Sequence, residues 1–286
     1  MAKKPNLADI RRLVITAMFS DDVLYGQLAL KGGNALNLVY RLGSRSSLDV
    51  DLSLEKDFED LNDSRERIFR ALQARFAEAG LTVFDLKFEK RPPRPKPGAE
   101  MWGGYQIEFK LMETDKYASM TDDRDRTRRE AFVIGPSDQR VFRIQISKYE
   151  YCEGKVETQL DDFSIFVYTP EMIVIEKLRA LCQQIPEYTL RGYATPRARD
   201  FYDIHSTITG LGLILNTPEI LELTRTIFAA KAVDLPLLLQ IEKYREFHRQ
   251  DWPAVELTVS GELKSFDFYF DFVITQIQLL KTLWEK

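Results

Sequence analysis

Two aspartates two residues apart, just downstream of a paired glycine, constrain this chain more than any other feature. Residues 28–36 read Leu-Ala-Leu-Lys-Gly-Gly-Asn-Ala-Leu, and residues 45–52 read Arg-Ser-Ser-Leu-Asp-Val-Asp-Leu. The order is a strand, a glycine turn, a short helix and a second strand. Alternate residues of a strand share a face. Asp49 and Asp51 therefore project together, while Val50 and Leu52 turn to the core. Two carboxylates on one face repel unless a cation lies between them. A hard divalent ion, Mg2+ or Mn2+, serves that purpose and also holds nucleotide phosphates. Gly32 and Gly33 let backbone amides approach a phosphate with no side chain in the way. An isolated Asp-x-Asp is an ordinary strand edge, and an isolated Gly-Gly an ordinary turn. Their succession within about two dozen residues is the layout of a metal-dependent nucleotidyl-transfer site.

Composition narrows the setting. A chain of 286 residues fits one large domain or two small ones. Hydrophobic residues at 44% and charged residues at 29% mark a globular chain with a sizeable core. Only Cys152 and Cys182 occur, so a disulfide framework is not expected and a reducing cytoplasm is the natural compartment. The basic start, Met1 to Pro5, lacks a following apolar stretch, so no signal peptide is expected, and no apolar run is long enough for a membrane span. A net charge of −4 argues against a surface that coats nucleic acid broadly, though not against a local basic patch. Two segments qualify: the proline-interrupted run at 90–97 and the mixed-charge run at 122–129, each otherwise a solvated loop or turn.

Apolar residues at Leu7, Ile10, Val14 and Met18 recur at helical spacing over 6–20. Residues 27–30 predict the strand into the glycine turn, 34–40 the short helix, and 49–54 the carboxylate-bearing strand. A long amphipathic helix is expected over 60–80, with Ile68, Leu72 and Phe76 on one stripe and Gly80 as its stop. Residues 81–88, 105–112, 141–149 and 163–167 read as further strands. Thr169 is a natural N-cap with Pro170 at the first helical position, and the pattern is helical from there on. The expected fold class is α+β: a mixed sheet with helices over 1–168, then a helical half over 169–286 that completes a cleft.

Three further places carry chemistry. Glu108 stands between Ile107 and Phe109 and so faces away from the core if they face it; Asp115 is the alternative acid nearby. Lys177 sits in the apolar helix 172–181, where an ammonium needs an anion or carboxylate, or must snorkel to water. Asp200 and Asp203 are three apart near a helix start, with Arg199 adjacent. His205 and His248 form no recognised metal pair with the cysteines and receive no role.

The glycine turn with Arg45, Ser47, Asp49 and Asp51 resembles the first motif of the nucleotidyltransferase superfamily, in the form of the AbiEii-type, MenT-like toxins of type IV toxin–antitoxin pairs. Asn34 stands where threonine is common. Glu176-Lys177-Leu178-Arg179-Ala180-Leu181 resembles that family's Glu-Lys-Leu-x-Ala-Leu helix, and Arg197 to Ile204 resembles its Arg-x-Lys/Arg-Asp-hydrophobic-Tyr-Asp-Leu motif, with Arg199 for the commoner lysine. The resemblance spans roughly residues 7–210 and implies a nucleotidyltransferase that moves NMP from an NTP to RNA, the tRNA 3′ end being the favoured acceptor, and that has a separate antitoxin. It implies catalytic roles for Asp49, Asp51, Lys177 and Asp200. Nucleotide contacts fall to Lys31, Gly32, Gly33, Arg45, Ser47 and Arg199, and metal contacts to Asp49, Asp51 and a third acid, Glu108. Asp200 is either a base toward the acceptor or a partner that positions Lys177; Asp203 is structural. Arg191, Arg197, Arg199 and the 90–96 arm would line an RNA entrance. A transferase acting on a small molecule or a protein is the first rival reading, and an idle nucleotide-binding module the second.

Overall fold

The computed structural model describes residues 6–42, 48–94, 97–120, 122–135, 138–190 and 193–284. The chain opens with helix α1 (Leu7–Met18), capped by Asn6, and a short α2 (Asp22–Gln27) capped by Asp21. Strand β1 (Leu28–Lys31) runs into the turn α3 (Gly32–Asn34), which continues as a π-helical turn over Ala35–Val39. Strand β2 (Val50–Leu54) follows, so Asp49 stands one residue before the strand and Asp51 within it. The long helix α4 (Leu61–Glu78) starts on the Asp60 cap and stops before Gly80, whose φ of 71° lies in the left-handed region that glycine tolerates.

Next come β3 (Leu81–Arg91), β4 (Gly104–Glu113), the short helices α5 (Thr114–Ala118) and α6 (Arg124–Glu130), then β5 (Phe142–Ser147), β6 (Val156–Leu160) and β7 (Phe163–Val167). The strands form one mixed sheet in the order β3-β4-β5-β2-β1-β7-β6. β2 lies between β1, antiparallel, and β5, parallel; β1 is also parallel to β7. α1 and α4 pack on each other and against β2 and β3. Val50, Leu52, Ile144, Ile146, Leu28 and Leu30 are fully buried or nearly so and form the centre of the core.

The 122–129 segment, expected as a solvated turn, is instead helix α6. Arg128 reaches back to grip Asp85 through Nε and Nη2 at 2.6 and 3.0 Å, so this member of the basic run is tied to β3, while Arg126 and Arg129 stay exposed. Downstream of β7 every described element is helical: α7 (Pro170–Cys182), α8 (Ala198–Leu211), α9 (Pro218–Ala229), a 3-10 stretch over Leu235–Tyr244, α10 (Arg245–Arg249), α11 (Trp252–Glu256) and α12 (Phe266–Leu279). Thr169 caps α7 and Pro170 opens it, as the sequence predicts. α7 packs on α8 and α9, and α8 on α12.

Candidate active site

The glycine turn and β2 meet through a contact only glycine allows. Gly32 has φ of 67°, and a Cβ built on it would lie 2.9 Å from Asp51 Oδ2. The antiparallel register places Lys31 directly opposite Asp51. Asn34, fully buried, donates from its amide to the Asp49 carbonyl and so fixes the turn to the residue before β2. One cavity of about 1130 Å3 is lined by Lys31, Gly32, Gly33, Asp49 and Asp51 from the sheet side and by Glu176, Lys177, Arg197, Arg199 and Asp200 from the helices. Residues separated by about 150 positions of sequence thus share one space.

Electrostatics in the cavity are set by burial. Burial pushes the Asp51 carboxyl up to about 6; Asp49 and Glu176 add to this while Lys31 and Lys177 oppose it. Asp49 is also raised, by burial first, against Arg143, Gln145 and Arg199. Asp200 behaves in the opposite way. Burial would raise it, but Arg197 and Lys177 outweigh burial and hold it well below the usual carboxylate range.

Lys177 is buried among apolar neighbours and does meet carboxylates. Its Nζ donates to Asp200 Oδ1 and Asp203 Oδ2, both at 2.8 Å. Helical spacing explains the pair, since side chains three apart on α8 face the same way. Asp200 also takes the Arg197 guanidinium, so Arg197 is committed to the site wall as well as to the cavity. Arg199 stays exposed at the rim, 3.5 Å from Asp251.

Glu108 is not brought beside Asp49 and Asp51. It lies on β4, two strands from β2, where it accepts from Arg143 Nε at 3.1 Å and Gln106 Nε2 at 2.8 Å. The intervening strand β5 presents Gln145 level with Asp51, and its Nε2 donates to Asp49 Oδ2 at 3.2 Å. Asp115 falls in the first turn of α5. Among the described residues no cluster of three metal-ligating side chains occurs. Arg45, Ser47 and Arg191 lie outside the described residues.

A family model for the nucleotidyl transferase AbiEii toxin of type IV toxin–antitoxin systems matches residues 14–272. The chain belongs to the AbiEii toxin family. It is a nucleotidyltransferase. Among solved structures it is similar to JHP933 from Helicobacter pylori, with 17% identity, 96% of this chain and 90% of that chain covered, and a TM-score of 0.49. It is similar, too, to a second Helicobacter pylori structure, described as that of a proposed nucleotidyltransferase, with 16% identity, coverage of 97% and 94%, and a TM-score of 0.49. A nucleotidyltransferase-like antigenic protein from Paracoccidioides brasiliensis matches at 15% identity, coverage of 90% and 97%, and a TM-score of 0.40. No curated protein matches. No described helix of this AbiEii-family chain is long and apolar enough to cross a membrane.

Sequence reading missed a buried ion network behind this AbiEii-family site. Glu150, just past β5, is 2.8 Å from Arg179, 3.6 Å from Lys31 and 3.5 Å from Lys231. Burial would raise its carboxyl, yet the three cations bring it down to about 2. Glu176 links this network to the turn by accepting from Lys31 Nζ. Lys231 donates to the Met101 and Lys148 carbonyls at 2.9 and 2.5 Å, which ties the C-terminal end of α9 to the sheet side. His248, also unassigned from sequence, is fully buried and its Nδ1 accepts the Arg197 amide at 3.2 Å. Burial pushes its imidazole down to about 4, so it remains a neutral acceptor holding the start of α8. No local pattern in the sequence marks any of these partners.

Proposed function

We propose that this cavity transfers NMP from an NTP to an RNA acceptor, the tRNA 3′ end being the favoured class, with Mg2+ or Mn2+ as the metal. One observation carries the reading: the glycine turn, the Asp49–Asp51 pair, Lys177 and Asp200 line a single cavity. The donor set fits a hard cation. Asp49 and Asp51 offer only carboxylate oxygens, and both resist ionisation when no cation offsets their burial. These two would hold the metal, with nucleotide phosphate oxygens completing its shell. When bound, such an ion draws charge off the phosphate oxygens and orients the triphosphate.

The remaining groups divide the work. The Gly32 turn holds backbone close to Asp51 and leaves space for phosphate. Lys31 is kept charged: burial pulls it down, but Glu176 and Glu150 outweigh burial. Lys177, poised on α7 beside the pair, supplies positive charge where negative charge grows in the transition state. Asp200 is too strongly ionised to be an efficient base, because a group held far below its usual range gives up its proton too readily to take one from a hydroxyl. Its contacts favour the other role, positioning Lys177. The exposed arginines Arg91, Arg94 and Arg199 at the cavity rim suit a polyanionic acceptor. In this reading 1–168 and 169–286 act as two halves closing on one substrate, and an antitoxin partner follows from family membership.

The test is incubation with each α-labelled NTP, Mg2+ and total RNA. Label on RNA, concentrated in the tRNA fraction, is the expected result. Label on protein or on a small molecule only would favour the rival acceptors.

A further inference from the structure

The cavity has ends of different character. At the glycine turn it gathers Lys31, Lys177 and Arg197; toward β3 it meets Arg91 and Arg94. Glu150, Arg179, Lys231 and Asp251 also line it; between Ala180 and Arg197 the lining residues Gln183, Gln184, Leu190, Tyr193, Thr195 and Pro196 are uncharged. These residues lie at the end of α7 and on the connection to α8. Lys177 and Ala180 line the cavity one turn apart on α7, and Gln184 follows two residues past its end. An NTP divides in the same way, with a polyanion at one end and a flat, neutral, hydrogen-bonding base at the other.

We propose that this uncharged end is the nucleobase pocket and that Gln183 reads the edge of the base; the assignment rests on the NTP-transfer reading above. The two glutamines are not equivalent. Gln184 is spent on the fold: its Oε1 accepts from the Thr195 amide and hydroxyl at 3.0 and 3.2 Å, and its Nε2 donates to the Ala180 carbonyl at 3.0 Å. Gln183 donates through Nε2 to the Tyr188 hydroxyl at 3.5 Å, and that hydroxyl donates to the Lys231 carbonyl at 2.9 Å. No hydrogen bond of the described residues goes to Gln183 Oε1. The amide is therefore held at its nitrogen and presents an acceptor. Ala180, one turn earlier, leaves room beside the helix. A presented acceptor pairs with an N–H of the base edge, the exocyclic amine of adenine, cytosine or guanine or the ring N3–H of uracil, and with nothing on a bare polyphosphate.

The test is equilibrium binding by the full chain in Mg2+ without RNA. The probes are ATP, CTP, GTP, UTP and inorganic tripolyphosphate; the proteins are wild type, Gln183→Ala and the near-isosteric Gln183→Met, each checked by its melting temperature. Wild type should bind the nucleotides about tenfold more tightly than either variant does, the scale of one hydrogen bond. Both variants should keep wild-type tripolyphosphate affinity. Nucleotide affinity unchanged in both variants, or lost in step with tripolyphosphate affinity, overturns the Gln183 assignment. Failure of wild type to bind any NTP or tripolyphosphate overturns the transfer reading with it.

Discussion

Replacing Gly32 by alanine separates a backbone requirement from a site requirement. The substitution forces a Cβ into the left-handed region at φ of 67° and within 2.9 Å of Asp51 Oδ2. Gly80 provides the control, because its φ of 71° is nearly the same and a Cβ there meets nothing within 4 Å. Gly80→Ala should therefore cost only the backbone term, about 1–2 kcal/mol. Gly32→Ala should cost that plus the displacement of Asp51, about 2–4 kcal/mol together. At roughly 2–4 °C per kcal/mol for a chain of this size, the two melting temperatures should fall by about 2–8 °C and about 4–16 °C respectively. Transfer should survive in Gly80→Ala and be lost in Gly32→Ala. Adding Asp51→Ala to Gly32→Ala should cost less stability than the two singles summed, because the clashing oxygen is gone. Equal melting shifts for the two glycine variants, with transfer retained in both, would refute the close-approach argument.

Other expectations follow from the buried charges. Lys177→Met leaves Asp200 and Asp203 without their shared ammonium and should destabilise by about 3–5 kcal/mol in urea titration, an effect that Asp203→Asn partly relieves. Glu150→Gln removes the anion shared by Arg179, Lys31 and Lys231, which hold its carboxyl below its ordinary value, and should destabilise at pH 7 by about 3–5 kcal/mol, the scale of breaking a buried ion pair. A depressed carboxyl contributes stability above its unfolded value and loses it as the pH falls through its folded value. The gap between Glu150→Gln and wild type should thus close between pH 4.5 and about 2 in pH-dependent unfolding. Arg94→Glu should lower RNA labelling more than NTP affinity, and labelling should weaken steeply with salt; indifference to salt would favour a small acceptor.

The parts legible in sequence were those fixed by neighbours along the chain. The glycine turn, the alternation through Asp51, the Gly80 stop and the Thr169-Pro170 start each need only a few adjacent residues. β6 was missed because it is an edge strand whose Val156, Glu157 and Gln159 are exposed, leaving no buried alternation to read. α6 was missed because a short charged helix looks like a solvated turn until Arg128 finds Asp85. Lys177 was legible as a lysine in need of an anion, but its double partner depends on how α7 meets α8. Glu150, Glu176 and Lys231 come together only when the sheet and the helices pack, and Gln145 stands out only once β5 is known to lie beside β2.

The central claim is that Asp49 and Asp51 support transfer of the α-phosphoryl group with loss of pyrophosphate. Parallel reactions with α-labelled and γ-labelled NTP test it most directly, in wild type, Asp49→Ala and Asp51→Ala. Wild type should place α-label on the acceptor and release γ-label as pyrophosphate in equal amount, and both variants should do neither while melting as cooperatively as wild type. γ-Label on the acceptor, or transfer undiminished in either variant, would contradict the claim.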